Sequence, residues 1–271
     1  MKELAISAML CRTSDRTAGG ARGAEHLANT IAERAGVTAR MVGSPGAPRT
    51  SDFSDDVRDS RGCILEAGGQ VEDALAGGRF PVITASDCSI CMTTLPTVVR
   101  LVPGVRILWI DAHGDFNTPD TTPSGFLGGM CLAAACGRWD GGLPAGVDPD
   151  QVLMVGARDV DPGEHAELDL AGVRRIERPS DVADAVDGAP VYVHLDLDVL
   201  DPDIFPAQFA VPGGLSDTGL RRLLDEVAMA AESIVGVEIT AFEAPEDLGE
   251  REALGEIAAD VITPLLPAGS T

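Results

Sequence analysis

No apolar run in this chain reaches the roughly 20 residues that span a bilayer. At the start, no charged segment, apolar segment and cleavage site stand in series; Met1-Lys-Glu-Leu-Ala-Ile reads directly as a strand, and cytoplasmic residence is the expectation. Positive charge is scarce. There are 20 Lys and Arg against 43 Asp and Glu, which gives a net charge of −23 and a pI near 4.3. This argues against nucleic acid and against anionic membranes as partners. It suits solubility and, weakly, a cationic substrate. A second cysteine pair is also missing: Cys88-Ser-Ile-Cys91 matches C-x-x-C, but nothing at ligand spacing completes a zinc knuckle. In a cytoplasmic chain Cys11, Cys63, Cys88, Cys91, Cys131 and Cys136 read as thiols. No internal repeat is visible.

The 271 residues, 45% of them apolar, are enough for one large α/β domain or two small ones. Apolar runs at 4–9, 81–85, 105–110, 152–156, 173–176, 191–195 and 233–240 read as strands. Helical patterns lie between them near 23–35, 65–77, 89–101, 126–136, 216–231 and 250–262. The alternation predicts an α/β fold with a mainly parallel sheet and helices on both faces. The Gly/Pro-rich pieces at 43–49, 140–149 and 202–214 are short enough to be loops, so one domain over 1–271 is expected. In such sheets sites form beyond the carboxyl ends of strands. Asp87, Asp111, Asp196 and the Arg158-Asp159 pair occupy such ends.

Chemistry concentrates in two segments. Asp111-Ala-His-Gly-Asp-Phe-Asn117 follows an apolar strand, and Asp111, His113 and Asp115 are spaced two apart, which places them on one face of an extended segment. Val191-Tyr-Val-His-Leu195 leads into Asp196-Leu-Asp198. Carboxylates clustered at the ends of buried strands are costly to desolvate unless a cation neutralises them. Asp-x-His-x-Asp together with Asp-x-Asp is what a two-metal hydrolytic site requires, with shared carboxylates and a water made nucleophilic near neutral pH.

These segments, with Thr122-Pro-Ser-Gly125, Gly156-Ala-Arg-Asp-Val-Asp-Pro-Gly-Glu164 and Asp201-Pro202, resemble the arginase (ureohydrolase) family over nearly the whole chain. The resemblance implies an arginase-like three-layer fold and two Mn2+ per chain. By position, Asp111 and Asp196 would bridge the ions, Asp115 would complete one and act in catalysis, and His113 with Asp198 would complete the other. It further implies a small guanidino amino acid as substrate. Asn117 and Ser124 would meet its α-carboxylate, and Asp161 and Glu164 its α-amino group. Such polar loop residues also cap turns without any ligand. Oligomeric arginases carry a long C-terminal extension; only residues 246–271 follow Pro245 here, so a monomer is expected.

Three departures bear on the chemistry. Cys88, in Ala85-Ser-Asp-Cys-Ser89, stands where the family has a metal-binding His. A thiolate prefers softer ions than manganese, but the aspartates outnumber it. Its charge should weaken the Lewis acidity of its metal; the alternative is a small core cysteine. In Ser124-Gly-Phe-Leu-Gly-Gly129, Gly128 replaces a proton-shuttling His and Phe126 an Asn. In Thr240-Ala-Phe-Glu-Ala-Pro245 either Ala241 or Glu243 occupies the place of the family's Glu. Such a site is poorly equipped for a strongly basic guanidinium, whereas an N-hydroxyguanidine is far less basic. The pattern looks like that of a hydroxyarginine-cleaving branch with cysteine at this metal position. That resemblance, not the chemistry alone, implies hydrolysis of Nω-hydroxy-L-arginine to hydroxyurea and L-ornithine, as in cycloserine-type antibiotic biosynthesis. Arginase activity on L-arginine and a metal-binding pseudoenzyme are the alternatives. His26 is unassigned, His194 reads as a core residue or one behind the ligands, and His165 as surface or substrate mouth.

Overall fold

The computed structural model describes residues 2–269, so Met1 and the last two residues of the expected 1–271 domain lie outside the described residues. Strands β1 (Leu4–Met9), β2 (Arg40–Val42), β3 (Phe80–Ala85), β4 (Arg106–Ile110), β5 (Val152–Val155), β6 (Arg174–Ile176), β7 (Pro190–Asp196) and β8 (Ser233–Thr240) form one 8-stranded sheet. Its order is β2-β1-β3-β8-β7-β4-β5-β6, and every pairing is parallel. The inner strands are apolar along most of their length because both faces are covered. In β4, Leu108 and Ile110 pack on one side and Ile107 and Trp109 on the other, as the two-residue period of a strand requires. The edge strands β2 and β6 are short and carry exposed arginines, which discourages pairing with other chains.

The helices are α1 (Gly19–Ala35), α2 (Phe53–Ala76), α3 (Cys91–Leu101), α4 (Cys131–Ala135), α5 (Pro162–Ala171), α6 (Val182–Val186), α7 (Asp217–Ala230) and α8 (Leu248–Ile262). One layer joins α1, α6, α7 and α8 through Leu27, Ile31, Val186, Leu224, Val227 and Ile262. The other joins α2, α3, α4 and α5 through Ile64, Val71, Leu95, Val98, Leu132 and Leu168. Helix starts are written in the sequence as caps: Asp52 accepts from Ser54 N, Ser216 from Gly219 N and Asp247 from Glu250 N. Among the described residues no helix is long and apolar enough to cross a membrane.

One reading fails here. Cys11 and Cys63 are not thiols but a disulfide, with Cα atoms 6.3 Å apart, joining the loop after β1 to α2; Cys88, Cys91, Cys131 and Cys136 are free.

Candidate active site

The carboxyl ends of β3, β4, β5, β7 and β8 converge on a cleft of about 520 Å³. All ten residues singled out from the sequence line it: Cys88, Asp111, His113, Asp115, Asn117, Ser124, Asp161, Glu164, Asp196 and Asp198.

Cys88 Sγ lies 2.9 Å from Asp196 Oδ2 and 3.9 Å from Asp111 Oδ2. His113 Nδ1 is 2.9 Å from Asp198 Oδ2 and 3.4 Å from Asp111 Oδ1. Potential ligand atoms form two close triads, Cys88–Asp111–His194 and Asp111–His113–Asp198, each within 4.8 Å, and Asp111 belongs to both. Asp196 joins through its contact with Cys88, whereas Asp115 is in neither triad. Backbone amides aim these carboxylates: His113 N donates to Asp111, Ala112 N to Asp198 and Asp198 N to Asp196. Asp115 sits at φ 47°, in the left-handed region that non-glycine residues seldom adopt. Its carbonyl accepts from Leu132 N and Ala133 N, which ties the turn to the start of α4.

The electrostatics describe a hole for positive charge. Burial, then repulsion from Asp198, pushes Asp196 up to about 7; burial and Asp111 push Asp198 up to about 6. Burial and then Asp111 hold Asp115 well above the carboxylate range. Burial opposes a charged His113, yet Asp111 and Asp198 outweigh it and push the imidazole up to about 12. Buried carboxylates that compete for one proton suit divalent cations, and oxygen with imidazole donors suits a hard ion.

Toward the mouth, Asn117 Nδ2 donates to Asp161 Oδ2 at 3.2 Å, which leaves the buried Asn117 Oδ1 without a partner. Glu164 already accepts from Phe116 N at 2.7 Å and Asp161 N at 3.2 Å, so it holds the walls of the cleft as well as lining it. Ser124 Oγ accepts from Phe126 N.

At the third departure, Ala241 lines the cleft at φ 63°. Glu243 turns away to accept from Thr17 Oγ1 and Gly19 N, and caps α1. Exposed His165 contacts Arg175 and does not line the cleft.

Sequence reasoning missed Arg16, Gln208, Phe209, Val211 and Pro212 in the cleft wall. They come from loops without motif spacing. Phe126 packs at a tilt of 58° against Phe209, ring centroids 4.9 Å apart, with the Arg16 guanidinium 4.6 Å from the centre of its ring. The 202–214 loop is held down by Arg158, which donates to the carbonyls of Asp198, Val199, Val211 and Pro212. The side chain at Gly128 that was missing from the sequence has a spatial counterpart: a Cβ there would lie 2.5 Å from Phe126 Cε1.

The arginase family model matches residues 47–266, and the chain belongs to that family, whose members are typically dimanganese enzymes. It is 38% identical over 264 residues to the N(omega)-hydroxy-L-arginine amidinohydrolase of Streptomyces lavendulae, a match covering 96% of each chain. The arginase of Bacillus subtilis is 31% identical over 219 residues, 73% of this chain and 72% of that one. A crystal structure of Bacillus subtilis arginase superposes with a TM-score of 0.84 at 24% identity, over 98% of both chains.

Proposed function

We propose that this protein hydrolyses Nω-hydroxy-L-arginine to hydroxyurea and L-ornithine, with two Mn2+ held by Cys88, Asp111, His113, Asp115, Asp196 and Asp198. When bound, the ions would supply a water acidic enough to ionise near neutral pH. Asp115, at the foot of the cleft, would be the group to hold the proton released as a water oxygen adds to the guanidino carbon. The carbon–nitrogen bond to the ornithine side chain then breaks, and its nitrogen leaves with a proton as the amine. Asp161 accepts from the α-ammonium as expected. Because Asn117 Nδ2 is given to Asp161 and Glu164 to two backbone amides, the free Asn117 Oδ1 takes the second place at the ammonium rather than at the α-carboxylate, for which Ser124, Arg16 and Gln208 offer donors.

The Phe126 ring over Gly128 carries the choice of substrate. It fills the space of a proton-shuttling side chain and puts an apolar wall there. A guanidinium, protonated and with a poor amine leaving group, is disfavoured. The hydroxylated guanidine is far less basic, so its neutral form is accessible and it needs less help. Hydrolysis of N-hydroxyarginine by the Streptomyces lavendulae relative, as its name states, supports the same reading.

The test is to incubate Mn2+-loaded protein with hydroxyarginine, arginine and agmatine and to measure ornithine or putrescine. The specificity constant for arginine should lie at least ~100-fold below that for hydroxyarginine, the lower end of what general acid–base catalysis contributes. Comparable constants would restore plain arginase activity, and no product from a metal-loaded protein would leave a pseudoenzyme.

The proposal includes a single 1–271 domain acting as a monomer, cytoplasmic although the Cys11–Cys63 disulfide is of a kind rare in reducing compartments. The C-terminal helix is spent within its own chain: Arg34 pairs with Glu256 and Asp260, and Arg221 donates to the Asp260 carbonyl. A stable trimer in light scattering at micromolar concentration would contradict it.

A further inference from the structure

Behind Cys88, away from the cleft, stands a polar group that the proposed chemistry does not use. His194 is fully buried in β7, and its ring lies flat on Trp109, with centroids 3.6 Å apart and planes 1° from parallel. Its Nδ1 is 2.6 Å from Glu238 Oε1 in β8, and Tyr192 OH donates to the other Glu238 oxygen at 3.1 Å. Its Nε2 lies 3.2 Å from Cys88 Sγ. Glu238 is itself fully buried, so this imidazole is fixed by an aromatic face on one side and a carboxylate at its edge. The remaining nitrogen points at the sulfur. Thr240 Oγ1 completes the cradle, 3.2 Å from the sulfur and 3.2 Å from Asp196 Oδ2.

We infer that His194, braced by Glu238 and Tyr192, is the positioning residue for the Cys88 sulfur. The inference rests on the reading of Cys88 as a metal ligand. A cysteine side chain turns about a single χ1 bond, and sulfur is a weak hydrogen-bonding atom. Left alone, Cys88 would sample its staggered rotamers. The Nε2 contact selects the one that keeps Sγ between Asp196 and Asp111. The contact serves either protonation state, because the nitrogen accepts from a thiol and donates to a thiolate. Partners of this kind orient metal ligands, and their loss typically costs 10–100-fold in metal affinity. A buried polar group that merely satisfies itself would leave the sulfur indifferent to the imidazole.

The experiment uses full-length protein loaded with Co2+ as the probe. Wild type should give sulfur-to-metal charge-transfer absorption in the near ultraviolet, and Cys88→Ser should abolish it. His194→Phe keeps the stack on Trp109 and removes both nitrogens. It should shift or weaken the band and lower the affinity for one Co2+ by 10-fold or more, with the other ion retained. His194→Gln, whose amide can still reach the sulfur, should recover most of the band. If His194→Phe does not fold, the comparison is read from His194→Gln against Glu238→Leu, which removes the acceptor at Nδ1, frees the ring from its brace and should shift the band more. A band unchanged by Cys88→Ser overturns the ligand reading itself. A band lost in Cys88→Ser, but identical in position, intensity and Co2+ affinity in the His194 and Glu238 variants, overturns the positioning role alone.

Discussion

Phe126 and Gly128 have to be changed together. Histidine at 128 is the obvious route to arginase activity, but its Cβ would stand 2.5 Å from the Phe126 ring. That ring is wedged between Phe209 and Arg16 and cannot swing aside freely. Gly128→His alone is therefore expected to lose activity on both substrates and to destabilise the fold by about 1–3 kcal/mol, the usual cost of overpacking. Phe126→Asn with Gly128→His removes the clash and should raise the specificity constant for arginine above wild type. Steady-state kinetics on both substrates and urea denaturation of both variants check this; a well-folded single variant more active on arginine would refute the coupling. Glycine at 128 was legible in the sequence, but its partner was not, because which ring fills an absent side chain depends on loop conformation. The same holds for Ala241, where alignment by residue type left Glu243 in contention until the backbone turned it toward α1.

Helix α5 does more than connect strands. Through Glu164 its first turn pins Phe116 N and Asp161 N, and so joins the Asp115 turn to the mouth of the cleft. Burial pushes this carboxyl up from 4.5 to about 7, although the two backbone amides pull it down. The folded state thus holds this proton more tightly than the unfolded chain does. Stability from the group is complete below about 4.5 and is lost as pH rises to about 7. The loss is at most ~3 kcal/mol. In metal-free protein, the unfolding free energy of wild type minus that of Glu164→Gln should fall by roughly 1–3 kcal/mol across that window, on top of a constant offset from the lost acceptor. A difference that stays flat with pH would place the titration elsewhere. The strands through the centre of the sheet could be read off because burial on both faces makes them uniformly apolar. Three elements at the margins could not, although the edge strand β6 was read. β2 is short and largely exposed, α5 buries only Glu164 and Leu168, and α6 is short, so none shows a clear apolar stripe. The first turns of α2, Phe53-Ser-Asp-Asp-Val-Arg, are mostly polar and were missed for the same reason. The ligand motifs were legible because their spacing is local. The mouth residues Arg16 and Gln208 were not, because only the folded sheet brings their loops together.

For the whole molecule, the proposed metal pair would be a stability element as well as a reagent. Without it, Asp111, Asp115, Asp196 and Asp198 are buried together with His113 as the cationic partner of Asp111 and Asp198. A ligand at 1,000 times its Kd adds about 4 kcal/mol to stability, which for a large domain is roughly 10 °C in Tm. Stripping manganese with a chelator should lower Tm by about that much, and adding it back should restore it. Asp196→Ala should show neither change and should hold little manganese by elemental analysis. An Asp196→Ala protein with full manganese content would refute the shared-carboxylate arrangement. The strand order has a further consequence, for how the molecule is made. β8, the last strand in the chain, lies between β3 and β7, near the middle of the sheet. Until residues 233–240 leave the ribosome, the nascent chain can pair only β2-β1-β3 and β7-β4-β5-β6, as two half-sheets with open edges where β8 belongs. Cys88 is on one half and the Asp111 and Asp196 segments are on the other. The catalytic centre therefore cannot assemble during most of translation, and the two open edges are the surfaces most prone to mispairing while synthesis is incomplete.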